Sequence, residues 1–290
     1  GTAQSSIKQL LDNTLSELNQ LKINSQYIKL SDLLRRDNLF DSELYKRMFD
    51  LGVNPAGCNW ENQVFTYENL RYNWFDINTD SGVNIVDSFT NTATRVIEEN
   101  LSRIFFGRLF YNLESTGVGY ITVKPIYPDF EQIKSRHNIS VIPNDVFHQI
   151  ISSTMRLLGD KYRFSPNPFD INNNATSYRT APRGAVKPYL NKCAEKYSVS
   201  ESNLGQAIFE YLHSHGHQNF IINISNIDIC TTEPNSVAYI CPKCQRVHLH
   251  LSAGICCNCL SELSDSNRIP ITNLQKDNYV LLNKVIGRKP

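Results

Sequence analysis

The chain has 290 residues, of which 41% are hydrophobic and 20% charged, and its formal net charge is +1 at pH 7. This length and composition suffice for one large domain or two to three small ones with packed cores. A net charge so close to zero excludes attraction to nucleic acid or membranes by overall charge, although a local basic face stays open. No apolar run approaches the roughly 18–20 residues that span a bilayer, and no secretory signal pattern opens the chain.

The first 140 residues are predicted to be mostly helical. Leucine and isoleucine at helical spacing predict an amphipathic helix over residues 5–23. Ser31 and Ser42 each precede a short predicted helix. Residues 53–87 hold both tryptophans and read as an irregular, aromatic-rich segment with one short hairpin. The longest helical pattern covers residues 88–114, and a strand over Tyr120–Val123 follows it.

The second half changes to short helices followed by strands. Three helices and two strands are predicted over residues 144–158, 184–197, 201–214, 220–224 and 227–231. Gly159 is expected to end the first helix, and Ser200 to cap the third. This order is typical of a winged helix, in which residues 201–214 would be the recognition helix and residues 220–231 the wing.

Four cysteines near the end of the chain predict a metal site. Cys241 and Cys244 form one Cys-x-x-Cys pair, and Cys256 and Cys259 form a second. Two residues between thiols let both sulfurs of a tight turn reach one ion, and four thiolates make the closed tetrahedral set of a structural Zn²⁺. The same clustering favours a reducing cytosol over a disulfide-bonded exterior. A redox role would need a βαβ context, which these residues lack.

Three neighbouring residues leave the ligand set open. Cys257 lies inside the second pair and competes with Cys256, and His248 or His250 would fit a mixed site. The alternation of Val247 and Leu249 with the two histidines instead predicts a zinc-ribbon strand with one exposed face, which would carry the histidines.

Basic residues gather around the predicted winged helix and are candidate phosphate contacts. They are Arg163, Arg179, Arg183, Lys187, Lys192 and Lys196. Such residues bind the DNA backbone in many winged helices. The predicted recognition helix itself holds no Lys or Arg, which disfavours reading of base edges.

Motifs for catalysis are missing from the sequence. It contains no G-x-x-x-x-G-K-[ST] phosphate loop, no G-x-G-x-x-G, no H-E-x-x-H and no G-x-S-x-G. These residues therefore give no reason to expect a complete active site of their own.

Three stretches resemble a known family. They are Leu44–Gly57 with its tryptophan-rich continuation, Leu113–Pro125, and Tyr239–His250 together with Cys256–Leu260. They resemble the region that follows the helicase core in large bacterial DEAD/DEAH-box helicases of anti-phage defence systems, the Druantia and DISARM type. The resemblance covers roughly residues 40–125 and 200–262. It implies a winged helix and a four-cysteine module inside a longer ATP-hydrolysing parent, whose ATP-binding motifs have no counterpart here.

The two ends of the sequence also predict a piece of a longer polypeptide. The chain begins Gly-Thr without an initiator Met and stops at Pro290, directly after the apolar stretch 279–286. A processed full-length protein is the alternative.

The sequence thus predicts an α+β chain in four parts. They are a mostly helical part (1–140), a winged-helix domain (141–236), a small four-cysteine zinc ribbon (237–262) and a tail continuing into a parent (263–290). The expected function is a non-catalytic, zinc-stabilised accessory segment of a cytoplasmic DNA helicase or translocase. Its expected partners are DNA, the parent's other domains and a defence-system subunit, with no membrane. The alternatives are a protein-interaction scaffold and a zinc-containing winged-helix transcription regulator.

Overall fold

The computed structural model of the chain describes residues 27–34, 64–67, 70–73, 87–106, 112–166, 178, 184 and 186–276. The helices are α1 (Leu30–Leu34), α2 (Asp87–Phe106), α3 (Tyr127–Arg136), α4 (Asn144–Asp160), α5 (Lys187–Tyr197), α6 (Glu201–Ser214) and α7 (Ile271–Lys276). The strands are β1 (Tyr27–Lys29), β2 (Val64–Tyr67), β3 (Leu70–Asn73), β4 (Gly119–Thr122), β5 (Phe164–Ser165), β6 (Ile222–Asn223), β7 (Asp228–Thr231), β8 (Val237–Ile240), β9 (Val247–His248) and β10 (Arg268–Pro270). This mixture of helices and small sheets confirms the α+β class. None of the helices in these ranges is long and apolar enough to cross a membrane.

Several of the elements predicted for the N-terminal part lie within the described residues. Strands β2 and β3 pair antiparallel and form the expected hairpin. Helix α1 begins at Leu30, so Ser31, the predicted cap, lies in its first turn rather than before it. Helix α2 buries the apolar face that the spacing predicted, through Ile97, Leu101, Ile104 and Phe105. The helices predicted over 5–23 and after Ser42 lie outside the described residues.

Helix α4 lies at the centre of the main core. The ring of Phe147 on α4 lies 5.2 Å from that of Phe130 on α3, which in turn lies 5.0 Å from the ring of Tyr211 on α6. All three side chains are fully buried. Helix α3 was not predicted, although Pro128 in its first turn is a recognised start signal.

Gly159 does not end α4, which continues to Asp160. A Cβ at position 159 would overlap the ring of Phe106 from α2. Phe106 in turn stacks on Phe164 with ring centroids 5.5 Å apart. The glycine is therefore needed for close packing of two helices rather than for a helix stop.

Helices α5 and α6 confirm the predicted pair and its capping. Ser198 adopts a left-handed conformation (φ 55°) at the end of α5, and the Ser200 side chain accepts a hydrogen bond from the backbone N–H of Asn203 at the start of α6. The short turn between them leaves the two helices in contact.

The predicted wing is wrong as a hairpin, because its two strands do not pair with each other. β6 pairs in parallel with β5, whereas β7 is the central strand of an antiparallel sheet in the order β1-β7-β4. The turn between them, Ile224–Asn226, forms a 3₁₀ turn and is packed inside the protein. There the Ser225 hydroxyl donates to the buried carboxylate of Glu98 at 2.7 Å, so the chain cannot fold back as an exposed ribbon.

A second sheet, in the order β10-β8-β9, carries the cysteine module. Tyr239 and Ile240 of β8 pair with His248 and Val247 of β9. On its other side β8 pairs with β10, which comes from the segment predicted as the tail. Residues after Cys259 thus complete the sheet on which the first cysteine pair is built.

Candidate metal centre

The first cysteine pair follows β8 in a tight turn. The backbone N–H of Cys241 donates to the carbonyl of Arg246 at 2.9 Å, and the N–H of Gln245 donates back to the Cys241 carbonyl at 2.9 Å. Gln245 adopts a left-handed conformation with φ of 60°. We call residues 241–246 the first knuckle.

The second cysteine pair repeats this turn. The N–H of Cys256 donates to the carbonyl of Ser261 at 2.8 Å, and the N–H of Leu260 donates to the Cys256 carbonyl at 2.9 Å. Leu260 is left-handed with φ of 62°, as is its counterpart in the first knuckle. We call residues 256–261 the second knuckle. Two copies of one backbone turn therefore present four thiols to a common point.

The four thiols converge as the sequence predicted. The sulfur atoms of Cys241, Cys244, Cys256 and Cys259 all lie within 4.8 Å of one another. Cys241 Sγ is 3.5 Å from Cys259 Sγ, and Cys244 Sγ is 3.5 Å from Cys256 Sγ. A tetrahedron with Zn–S bonds of about 2.3 Å has edges of about 3.8 Å, so the thiols fit a tetrahedral Zn²⁺ with only small movement.

Burial raises the pKa of Cys241 and Cys256 and so disfavours their thiolates, whereas hydrogen bonds to the sulfurs act in the opposite direction. Burial raises the pKa of Cys241, but the backbone N–H groups of Lys243 and Cys244 donate to its sulfur and oppose the rise. The second knuckle repeats this at Cys256. At Cys259 burial also acts to raise the pKa, but contacts with Ser261, whose Oγ lies 3.2 Å from the sulfur, and with the thiols of Cys241 and Cys244 lower the pKa to about 6. A bound cation would stabilise all four thiolates further.

Cys257 lies outside the thiol cluster. Its side chain is buried in the main core with the helices, whereas Cys241 and Cys256 cluster with Leu263. Burial raises the pKa of Cys257 to about 12, so the thiol stays protonated at neutral pH. Cys256 rather than Cys257 is therefore the candidate ligand, because only the sulfur of Cys256 lies in the thiol cluster.

His248 is buried and His250 is half-buried, which corrects the prediction that an exposed face carries the two histidines. His248 is 1% exposed, and its Nε2 lies 3.3 Å from Cys256 Sγ. Burial lowers its pKa well below the usual value, so the neutral ring can donate an N–H···S bond to the thiolate from outside the four-sulfur set. The ring of His250 packs 4.8 Å from that of Tyr120. Alternation of apolar residues with histidines predicts that a strand has two different faces, but it does not predict which face the rest of the protein covers.

The loop between the knuckles is docked on helices α4 and α5. Ser252, Ala253 and Gly254 are consecutive left-handed residues, with φ of 53°, 56° and 78°. Such a run is strained for residues with a side chain, so contacts outside the loop must hold it. We call residues 251–254 the docked loop.

Four hydrogen bonds fix the docked loop to its surroundings. They are Ser153 Oγ to Ser252 Oγ at 2.7 Å, Tyr189 Oη to the Ser252 carbonyl at 3.2 Å, the Ala253 N–H to Gln149 Oε1 at 3.0 Å, and Lys196 Nζ to the Ala253 carbonyl at 2.9 Å. Their partners all lie on α4 and α5. The docked loop therefore attaches the segment between the two knuckles to the helical core, in addition to the contacts made by the sheet.

A buried ionic network makes a second attachment, which sequence reasoning missed. Arg246 Nη1 of the first knuckle lies 2.5 Å from Asp160 Oδ2 at the end of α4. Arg156, one turn earlier on α4, lies 3.3 Å from Asp160 and 3.6 Å from Glu114. Glu114 also accepts the backbone N–H of Leu249 at 3.3 Å. Of these residues, only Arg246 could have been singled out from the sequence, because it lies two residues after Cys244.

The structure describes four of the six predicted basic residues, and these four have different surroundings. Arg163 donates to the carbonyls of Phe220 and Asn219, at 3.2 and 3.5 Å. Lys196 holds the docked loop. Lys192 pairs with Glu195 at 2.8 Å on an exposed surface, and Lys187 lies 5.0 Å above the ring of Tyr178. Arg179 and Arg183 lie outside the described residues. Two of these four residues, Arg163 and Lys196, thus donate hydrogen bonds to carbonyl groups of their own chain.

Comparison of the chain with family models, curated proteins and solved structures found no match. The argument for function therefore depends on the residues and geometry above.

Proposed function

We propose that Cys241, Cys244, Cys256 and Cys259 bind one structural Zn²⁺. The observation that carries this is the convergence of four sulfurs from two matching turns. Four thiolates fill a tetrahedral ion and leave no position for a reacting water, so the ion would serve folding rather than catalysis. His248 would act from the outer shell as a donor to Cys256.

Substitution with Co²⁺ tests the proposed ligand set directly. One equivalent of Co²⁺ should produce the thiolate charge-transfer and d–d absorption of a tetrahedral sulfur site, and Zn²⁺ should displace it. A spectrum typical of octahedral Co²⁺, or no change on adding the metal, would contradict a four-thiolate centre.

We further propose that the chain is a non-catalytic accessory segment of a DNA helicase or translocase, as the resemblance implies. The order of α4, α5 and α6, with the short turn at 198–200, supports a winged-helix-like arrangement. DNA contact would then use Lys187 and Lys192, together with Arg179 and Arg183 as the sequence predicts. The test is binding of short DNA at low salt, which should weaken steeply as salt rises and on replacing Lys187 and Lys192 together with Glu.

A protein-interaction scaffold is the second candidate, and one observation favours it. Arg163 and Lys196 are used inside the protein, which removes two of the predicted phosphate contacts. A protein that binds no DNA even at low salt, while the double variant leaves the parent's activity intact, would favour the scaffold over the DNA role. A transcription regulator would require DNA binding that depends on base sequence.

A further inference from the structure

A cavity of about 800 Å³ lies where the two knuckles meet the end of α4 and the start of α5. This volume falls in the range of small-molecule sites. One part of its wall is apolar or aromatic, and is formed by Leu157, Pro188, Tyr189, Val247 and Leu260. The other part is the ionic network described above. A wall divided in this way suits a ligand with a charged group and an organic body.

The charged side of the cavity has an excess of positive groups. Arg156, Arg246 and Lys161 line it with Glu114 and Asp160, so three cations face two carboxylates. These five groups carry one net positive charge when both carboxylates are ionised, and the negative charge of the Cys244 thiolate, which also lines the cavity, is compensated in part by the proposed Zn²⁺. The arginine side chains are only 11% and 15% exposed, which keeps water from screening them fully.

Two buried donors of this network lack an acceptor. Nη2 of Arg246 is buried without a hydrogen-bond partner, because Asp160 occupies Nη1. Nε of Arg156 is also buried without one, since its orientation towards the nearby carboxylates does not give a hydrogen bond. A guanidinium group stays charged at any physiological pH, and unpaired buried donors are destabilising. Both arginines line the cavity, so an acceptor bound there would lie beside their guanidinium groups.

We propose that this cavity binds an organic phosphate, of which a nucleoside monophosphate is the model. The phosphate oxygens accept from Arg246 and Arg156, with Lys161 at the rim, and the organic body lies against Tyr189 and Leu260. Phosphate matches the site because its several oxygens can meet cations that arrive from different elements, and guanidinium groups bind it with two parallel bonds. Because Arg246 belongs to the first knuckle, an ordered knuckle is required for binding.

Titration calorimetry at low salt with AMP, adenosine and inorganic phosphate tests the proposal. AMP should bind with an affinity that falls as salt rises, adenosine should not bind, and inorganic phosphate should bind more weakly than AMP. Arg246→Gln should weaken AMP binding about tenfold or more, because it removes a charge-assisted bidentate partner. The matched control is Lys276→Gln, which removes an exposed lysine at the end of α7, outside the cavity wall, and should leave AMP binding unchanged.

Metal content and melting temperature are measured on every variant. Lys161→Gln changes an exposed residue, so it remains usable if Arg246→Gln fails to fold, and it should weaken AMP about threefold through the lost rim charge. Absence of AMP binding to a wild-type protein that holds its zinc would overturn the cavity proposal and leave the zinc proposal standing. Equal AMP affinities of the wild type, Arg246→Gln and Lys161→Gln would also overturn it. Inorganic phosphate binding as tightly as AMP would refute the role of the apolar wall.

Discussion

Replacing Cys244 with serine is expected to release the metal and undock the loop, whereas replacing Cys257 with alanine should leave the metal in place. Cys244 is a half-buried member of the thiol cluster, and Cys257 is a buried neighbour of that cluster that belongs to the main core. The two variants therefore separate the loss of a ligand from the loss of a buried sulfur.

The structure sets the expected size of each effect. The four hydrogen bonds that hold Ser252 and Ala253 contribute about 1 kcal/mol each, or about 4 kcal/mol together, whereas a structural zinc supplies about 10–16 kcal/mol of apparent folding energy. Loss of docking alone would lower the melting temperature by about 8 °C or more. Cys257→Ala should lower the free energy of unfolding by only about 1–2 kcal/mol.

Metal analysis and hydrogen exchange measure both effects. Cys244→Ser should hold little zinc and should exchange rapidly over residues 241–263, while α4 and α6 stay protected by their aromatic core. Cys257→Ala should keep about one equivalent of zinc and slow exchange over the same residues. Full zinc content in Cys244→Ser, or equal metal loss in both variants, would refute the assignment of the ligands.

Three further predictions concern contacts outside the thiol cluster. Lys196→Met should lower the unfolding free energy by about 1 kcal/mol, through the lost bond to the Ala253 carbonyl, without changing DNA affinity; a DNA defect would restore Lys196 as a phosphate contact. Gly159→Ala should destabilise by about 1–3 kcal/mol in chemical denaturation, because its methyl group overlaps Phe106. Burial lowers the pKa of His217 to about 3, so the unfolded chain binds its proton first and stability falls as pH drops from about 6.5 towards 3. His217→Gln should flatten that fall by about 1.4 kcal/mol per pH unit, and an unchanged slope would contradict a neutral buried ring.

Local patterns predicted the elements whose signals lie close together in the chain. Ser200 and the apolar spacing that follows it defined helix α6 to its last residue. The Cys-x-x-Cys spacing gave the four converging thiols because each turn is a short-range structure. The helix and each single turn are decided by residues within a few positions of one another, whereas the meeting of the two turns joins cysteines that are 12 and 18 residues apart.

The wing could not be predicted because its pairing depends on distant residues. Strand β7 pairs with Tyr27–Lys29 and with Gly119–Thr122, and neither partner leaves a mark in the sequence around residue 228. The basic residues stay candidate phosphate contacts for a related reason. A positive charge does not show whether its side chain will meet a phosphate or a carbonyl of its own chain, and Arg163 and Lys196 meet carbonyls.

X-ray absorption at the zinc edge, together with metal quantification of the purified protein, tests the central claim most directly. The account predicts about one equivalent of zinc with four sulfur neighbours at about 2.3 Å and no nitrogen in the first shell. Less than about half an equivalent, or a shell of three sulfurs and one nitrogen from His248, would contradict the four-thiolate centre.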